Sequence, residues 1–163
     1  MAGWFFKWFA FLAALLALAL LVAGQAGWLA GTAPNGLGVA NGRLAPPSST
    51  PNSVSSQAGL YPDHPQRAYG AMEPLRFAGD PARAMQRLGG LVRSLERTRI
   101  VDQRTDYLRA EVTSRWLGFK DDVEFWLDPA AGVIHFRSAS RLGEGDLGVN
   151  RERMETIQAR WAP

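Results

Sequence analysis

Cysteine is absent from the 163-residue chain, and histidine is nearly so. Without thiols the chain forms no disulfide, offers no thiolate nucleophile and cannot bind zinc through sulfur. His64 and His135 are the only histidines, they lie far apart, and neither has a second histidine at metal-ligand spacing. We therefore expect no metal site and no cofactor.

Concentrated positive charge is also missing. The formal net charge is +3, but the arginines are scattered and form no basic stripe with aromatic residues between them. Nucleic-acid-binding domains carry such a stripe, so we expect no nucleic-acid partner. The chain also lacks an internal repeat, the Lys-Ser/Thr ending of a P-loop and the Gly-x-Ser-x-Gly turn of a serine hydrolase.

Charged residues are lacking between Lys7 and Arg43 as well, and residues 8–23 are apolar throughout. With its flanking aromatic and aliphatic residues, this apolar segment exceeds the roughly 20 residues that cross a bilayer. Trp4 and Trp28 stand near its ends, and tryptophan is typical of the membrane interface. The pattern predicts a single transmembrane helix.

The predicted anchor occupies residues 1–30 and contacts the membrane through residues 4–30. Lys7 and the amino terminus supply the only charge beside it, so the positive-inside rule predicts a cytoplasmic N-terminus. The alternative is a signal peptide cleaved near Ala26 or Ala33, where small residues suit cleavage. In both cases the rest of the chain is exported.

Two further regions follow the apolar segment. Residues 31–50 are dominated by Gly, Pro, Asn, Ser and Ala, a composition typical of a linker. Residues 51–163 remain for a globular part with the size of one ordinary domain. Inside it, Asp80 before a proline predicts the start of a helix, and Asn150 predicts the N-cap of a last helix.

Strands are predicted where apolar and polar residues alternate, over residues 107–116 and 122–127, and where the chain returns over 133–138. One register of the last hairpin keeps apolar residues on one face and brings opposite charges together on the other. It pairs Leu127 with Ile134, Phe125 with Phe136, and Glu124 with Arg137. We predict an α+β fold, with a small antiparallel sheet, two helices packed on one face, and a single N-terminal transmembrane helix before it.

The sheet face away from the helices is predicted to carry mostly charged side chains. Antiparallel sheets commonly leave one face to solvent, and the alternative is a binding surface. The members of this face are Arg109, Glu111, Arg115, Glu124, His135 and Arg137.

The most distinctive stretch is residues 137–153, which holds four arginines, two serines, three glycines, an aspartate and an asparagine. It leaves a strand, passes a glycine-rich turn and enters a helix N-terminus, where free N–H groups favour an anion. Arginine adds bidentate contacts to such a ligand. We predict an anion-binding site whose candidate residues are Arg137, Ser138, Ser140, Arg141, Asp146, Asn150 and Arg151, with Asn52 and Ser55 as neighbours.

A structural interpretation of the same stretch stays open. In it, Asp146 and Asn150 cap the turn and the helix, and the arginines pair with nearby carboxylates. No residue is assigned a catalytic role.

Four sequence blocks, at residues 51–58, 107–111, 118–125 and 137–151, resemble the signature blocks of the domain of unknown function 1499 family. The resemblance covers residues 51–161, and the last block is its most specific part. It implies a bacterial envelope protein, because members of the family are typically of this kind and some carry N-terminal membrane segments. Other relatives occur in plant plastids. No reaction is implied, because the activity of the family is unassigned.

The first block departs from the pattern of the family. It usually reads Asn-Cys-Val-Ser-Ser, whereas Ser53 stands at the cysteine position here. A hydroxyl is far less nucleophilic than a thiol and is a poor ligand for soft metals. The departure favours a structural or binding role for the block over thiol chemistry.

Together these patterns predict a single-pass protein of the bacterial inner membrane with a periplasmic globular domain, or a secreted periplasmic domain if the anchor is cleaved. We expect a non-enzymatic binding or accessory module rather than an enzyme. Its predicted partners are the membrane, an anionic lipid or small anion, and a membrane-protein complex. Two alternatives are a purely structural accessory subunit of such a complex, and a hydrolase or transferase that uses Asp146 or His135 as a base.

Overall fold

The computed structural model describes residues 2–161. Within that range the helices are α1 (Ala2–Gln25), α2 (Arg67–Gly70), α3 (Pro81–Arg93) and α4 (Val149–Trp161), and a 3-10 turn spans Ala58–Leu60. The strands are β1 (Ser53–Ser55), β2 (Leu75–Arg76), β3 (Thr98–Gln103), β4 (Tyr107–Thr113), β5 (Lys120–Asp128) and β6 (Val133–Ser140).

The strands form one antiparallel sheet in the order β1-β6-β5-β4-β3, and β2 pairs with the remaining part of the β6 edge. The short β2 follows Pro74, which has no N–H to give to a neighbouring strand. The hairpin of β5 and β6 has the predicted register, with the pairs Leu127–Ile134, Phe125–Phe136 and Glu124–Arg137. The predicted α+β fold is confirmed.

The hydrophobic core lies between the sheet and the two longer helices of the globular part. Phe125 and Phe136 from the sheet are fully buried in it. Burial of a side chain of this size contributes about 1.5–3 kcal/mol. The helices contribute Met85, Leu88 and Val92 from α3 and Met154, Ile157 and Trp161 from α4.

The two helix starts were predicted with different success. Asp80 caps α3 as predicted, because its carboxylate accepts a hydrogen bond from the Ala82 N–H at 3.0 Å. The prediction of Asn150 as the N-cap of α4 is wrong, since α4 begins at Val149 and Asn150 lies inside it. The N-cap position is Gly148, whose carbonyl accepts the Glu152 N–H at 2.9 Å. The Asp146 carboxylate supplies the capping hydrogen bonds, because its two oxygens accept the N–H groups of Gly148 (3.0 Å) and Asn150 (3.1 Å).

The first helix is long and apolar enough to cross a membrane over Gly3–Gln25, and none of its most apolar window is buried. A signal sequence has the same properties. The C-terminal end of α1 contacts the turn between β4 and β5, where Gln25 Nε2 donates to the Trp116 carbonyl at 2.9 Å. The backbones of Gly24 and Gly118 meet at the same place, and a Cβ on Gly118 would lie 2.3 Å from the Gly24 oxygen.

Residues 31–50, named the strap below, lie across the outer face of the sheet, the face away from α3 and α4. The Gly38 N–H donates to Glu124 Oε1 at 2.6 Å, and the Leu44 N–H donates to Gln57 Oε1 at 2.8 Å. Leu44 is buried. The strap therefore covers part of the charged face, which is not simply solvated. The domain limits at residues 30 and 50 stay a prediction.

Candidate functional site

Arg141 is the centre of a partly buried ion-pair network on the outer face. Its Nε and Nη2 donate to the two oxygens of Asp122 at 2.7 and 2.9 Å, and Nη2 also donates to Glu111 at 2.7 Å. The Arg141 side chain is 5% exposed and that of Asp122 is 1% exposed. Arg109 adds a further contact to Asp122 at 3.0 Å. These bidentate contacts raise the pKa of the Arg141 guanidinium, so it stays charged at every relevant pH.

Glu111 joins this network to the edge of the sheet. It also accepts hydrogen bonds from Arg99 and Lys120, each at 3.0 Å. Partial burial alone would raise the pKa of Glu111, but the hydrogen bonds from Arg141, Arg99 and Lys120 lower it to about 2. The cluster is therefore held together by ionised groups at neutral pH.

A second network joins the glycine-rich turn to the start of α4. Asp146 accepts hydrogen bonds from the Tyr69 hydroxyl at 2.5 Å and from the Asn150 amide at 2.8 Å. Burial favours the neutral acid, but these hydrogen bonds and two from backbone N–H groups outweigh it and lower the pKa of Asp146. Burial and the Asp146 contact together raise the pKa of Tyr69 to about 12.

Asn150 links that turn to the first strand. Its Nδ2 donates to the Asn52 carbonyl at 3.1 Å and to Ser140 Oγ at 3.0 Å, and its Oδ1 accepts from Ser138 Oγ at 2.6 Å. The Asn52 amide in turn donates to the Gly143 carbonyl at 2.7 Å. The first sequence block and the glycine-rich turn are therefore fastened to each other.

Two arginines in the first half of α4 also have internal partners. Arg151 donates to the backbone carbonyls of Tyr69 and Ala71. Arg153 donates to Ser138 Oγ and pairs with Asp121. For this half of the stretch, the structural interpretation describes the geometry.

A cavity of about 250 Å³ lies between the strap and the outer face. Its polar lining comes from both sides: hydroxyl groups of the strap face charged side chains of the sheet. From the strap it is lined by Thr32, Pro34, Ser48, Ser49 and Thr50, and from the rest of the chain by Asn52, Asp122, Arg137, Ala139, Ser140 and Arg141.

Arg137 is the unusual member of this lining. Its side chain is 8% exposed, and its Nε donates to the Pro46 carbonyl at 3.1 Å. Its Nη1 lies 3.8 Å from Glu124 Oε2, and neither atom makes a hydrogen bond within residues 2–161. The other Glu124 oxygen is occupied by the Tyr107 hydroxyl at 2.8 Å and by Gly38. Burial lowers the pKa of Arg137.

The structure thus divides the predicted site residues between two places. Arg137, Ser140, Arg141 and Asn52 line the cavity. Ser138, Asp146, Asn150 and Arg151 lie in the internal network around the start of α4. Ser55 stands beside Arg137 on the neighbouring strand, but its hydroxyl accepts the Gln57 N–H at 3.0 Å.

Sequence reasoning missed the contribution of the strap. Ser48, Ser49 and Thr50 line the cavity, and the Ser48 N–H donates to Ser53 Oγ at 2.7 Å. Their only signal is a run of hydroxyl residues, which is equally typical of a linker. The Ser53 hydroxyl therefore holds the strap against β1.

The two proposed bases are placed differently. Asp146 is occupied by the cap and by Tyr69, and its lowered pKa is unsuited to a general base. His135 stacks on Trp126 with a centroid separation of 5.5 Å, and its Nδ1 lies 3.2 Å from Ser56 Oγ. That hydroxyl already accepts the Phe136 N–H at 2.9 Å. Burial lowers the pKa of His135, so its ring is neutral at pH 7.

Among residues 2–161, no three acidic or histidine side chains come together as a set of metal ligands.

The model of one protein family, described as Protein of unknown function (DUF1499), matches residues 43–160. The chain belongs to this family. The match begins inside the strap, so the DUF1499 region includes Ser48, Ser49 and Thr50 together with the sheet side of the cavity. Comparison with curated proteins and with solved structures finds no match.

Proposed function

We propose that this DUF1499 protein is a membrane-anchored accessory domain that binds a small oxyanion in the cavity beneath the strap. Arg137 carries the proposal, because its buried guanidinium lines the cavity and makes only one hydrogen bond within the described chain, from Nε to Pro46. Buried charged donors of this kind are stabilised by a partner. A carboxylate or phosphate oxygen in the cavity supplies that partner.

The charge of the outer face supports an anionic ligand. Eight charged side chains are linked on this face, five basic and three acidic, so their formal charges sum to +2. Asp122 lines the cavity but is already neutralised by Arg141 and Arg109. The hydroxyls of Ser48, Ser49 and Thr50 add neutral donors.

The proposal places α1 in the bacterial inner membrane, with a cytoplasmic N-terminus and a periplasmic domain. Lys7 supports this orientation through the positive-inside rule. The contacts of Gly24 and Gln25 with the turn after β4 support retention of the helix. A signal peptide is removed from the mature domain, so selection does not maintain packing between the two. An intact α1 in membranes isolated from cells, shown by N-terminal sequencing, tests this part.

The binding test uses the full chain in detergent micelles and inorganic phosphate as the probe, at constant ionic strength. Isothermal titration and thermal unfolding are measured for the wild type and for Arg137→Gln. We expect saturable phosphate binding that raises the melting temperature, and loss of both effects in Arg137→Gln.

Arg43→Gln is the matched control, because Arg43 lies on the strap, is exposed and does not line the cavity. It removes the same charge and should leave phosphate binding unchanged. Equal losses in the two variants, or no binding by the wild type, would contradict the proposal. Repeating the titration in nanodiscs of POPC alone and of POPC with POPG distinguishes a soluble anion from a lipid headgroup.

A further inference from the structure

We infer that the end of the sheet attached to α1 lies in the headgroup region of the bilayer that α1 crosses, with Trp116 inserted at the interface. This inference rests on the anchoring part of the proposed function and adds a second, peripheral contact with the membrane. Its residues do not include Arg137, although Ser140 and Arg141 of the cavity lining lie at the same end of the sheet.

The topology brings three segments to one end of the sheet. Thr113 pairs with Lys120, and Asp121 pairs with Ser140, so the turn after β4 and the turn after β6 leave the sheet side by side. The end of α1 contacts the first of these turns through Gln25, whose amide donates to Trp116 and Arg115 carbonyls. The glycine-rich turn, the β4–β5 turn and the end of α1 therefore share this end.

Most of the exposed large apolar residues outside α1 lie there. Trp116 is 64% exposed and Trp28 is 80% exposed. In the described chain outside α1, Val39 and Leu60 are the only exposed large apolar residues that do not lie at this end. The set at this end, named the apolar rim, consists of Trp28, Trp116, Phe119, Leu142, Leu147 and Val149.

The length of α1 sets the depth of this end. Its 23-residue apolar span is about 35 Å long at 1.5 Å per residue, slightly more than the roughly 30 Å hydrocarbon core. Gln25, at the end of the span, therefore lies at the boundary of the hydrocarbon. The Gln25 amide donates a 2.9 Å hydrogen bond to the Trp116 carbonyl, which holds the Trp116 backbone at the same depth.

The chemistry of the turn suits lipid rather than water. Tryptophan prefers the membrane–water interface, where its ring is half in hydrocarbon. The Arg115 guanidinium lies 5.1 Å from the Trp116 ring centroid and is exposed, so it can reach lipid phosphates beside the inserted ring. Exposed apolar residues gathered at one end of a domain mark a contact surface, and the attachment of this end to α1 identifies the bilayer as the occupant.

The absence of cysteine allows a direct test with single-cysteine variants of the full chain, labelled with the fluorophore NBD and reconstituted in POPC/POPG vesicles. Trp116→Cys and Leu142→Cys report on the apolar rim. Ala130→Cys is the matched control, because it is exposed and lies in the turn at the opposite end of β5, about 27 Å away at 3.3–3.4 Å per residue. Leu16→Cys reports on α1 itself.

We expect NBD at Trp116 and Leu142 to have blue-shifted emission and to be quenched by lipids that carry a quencher in the headgroup region, and NBD at Ala130 to have neither property. An aqueous signal at Trp116 with blue-shifted emission from the Leu16 label overturns the inference and leaves the anchor intact. An aqueous Leu16 label overturns the anchor and the inference together. Blue-shifted emission at Trp116 without quenching by lipid shows that protein covers the rim, which also overturns the inference.

Discussion

Replacement of Arg141 by glutamine should destabilise the domain far more than replacement of Arg99, which also contacts Glu111. Arg141 gives three hydrogen bonds to two carboxylates, and both it and Asp122 are almost completely buried. Breaking a buried pair costs about 3–5 kcal/mol. We expect the lower limit, about 3 kcal/mol, because Asp122 keeps Arg109 and Glu111 keeps two further cations.

Arg99→Gln is the matched control for this prediction. Arg99 also contacts Glu111 at 3.0 Å, but its side chain is 73% exposed, and exposed pairs contribute about 0–1 kcal/mol. Urea unfolding of the full chain in micelles, followed by tryptophan fluorescence, gives both free energies. For a domain of this size we expect Arg141→Gln to lower the melting temperature by roughly 10–15 °C. Equal stability losses for Arg141→Gln and Arg99→Gln would refute the assignment of Arg141 as a buried structural centre.

Two further predictions concern acid stability and the attachment of α1. The pKa of Glu111 is lowered from 4.5 to about 2, so its contribution is complete above pH 4.5 and is lost as the pH falls from 4.5 to 2. The free energy of unfolding should decrease across this window by up to about 1.4 kcal/mol per pH unit from this group, and Glu111→Gln should flatten that slope in a urea series. An unchanged slope would show that Glu111 is not the group that titrates. Gly118→Ala should detach α1, because its Cβ would lie 2.3 Å from the Gly24 oxygen, and hydrogen exchange at residues 24–28 should rise. Gly132→Ala has a similar φ, +68° against +64°, but its nearest neighbour is 4.0 Å away, so it should cost only the roughly 1–2 kcal/mol of a left-handed alanine and leave that exchange unchanged. Equal exchange in the two variants would contradict the packing argument.

The fold could be predicted where two independent patterns agreed. In the β5–β6 hairpin, the apolar alternation and the charge pair Glu124–Arg137 select the same register, and a slip of one residue would violate both. The N-cap of α4 was predicted wrongly because two good capping residues lie four positions apart. An ionised Asp146 accepts two backbone N–H groups, and Asn150 is then used to join the turn to β1.

The candidate site could be predicted only in part, because half of it comes from a segment whose composition reports on local preference alone. Gly and Pro in residues 31–50 indicate that the strap has little regular structure of its own. They carry no information about Glu124, which binds Gly38 from 86 positions away, or about Gln57, which binds Leu44. Contacts at such separations are decided by the folded sheet.

The long distance between Arg137 and Glu124 follows from competition among several donors for the Glu124 carboxylate. In the sequence the two residues form a matched charge pair across neighbouring strands, which suggests a closed ion pair. In the folded chain the Tyr107 hydroxyl and the Gly38 N–H take one Glu124 oxygen, and the other stays 3.8 Å from the guanidinium. The strap, which donates one of these bonds, therefore both covers the cavity and competes with Arg137 for Glu124. Loss of the hydrogen bond from Gly38 to Glu124 should bring Glu124 and Arg137 into a direct ion pair. The same change should weaken phosphate binding.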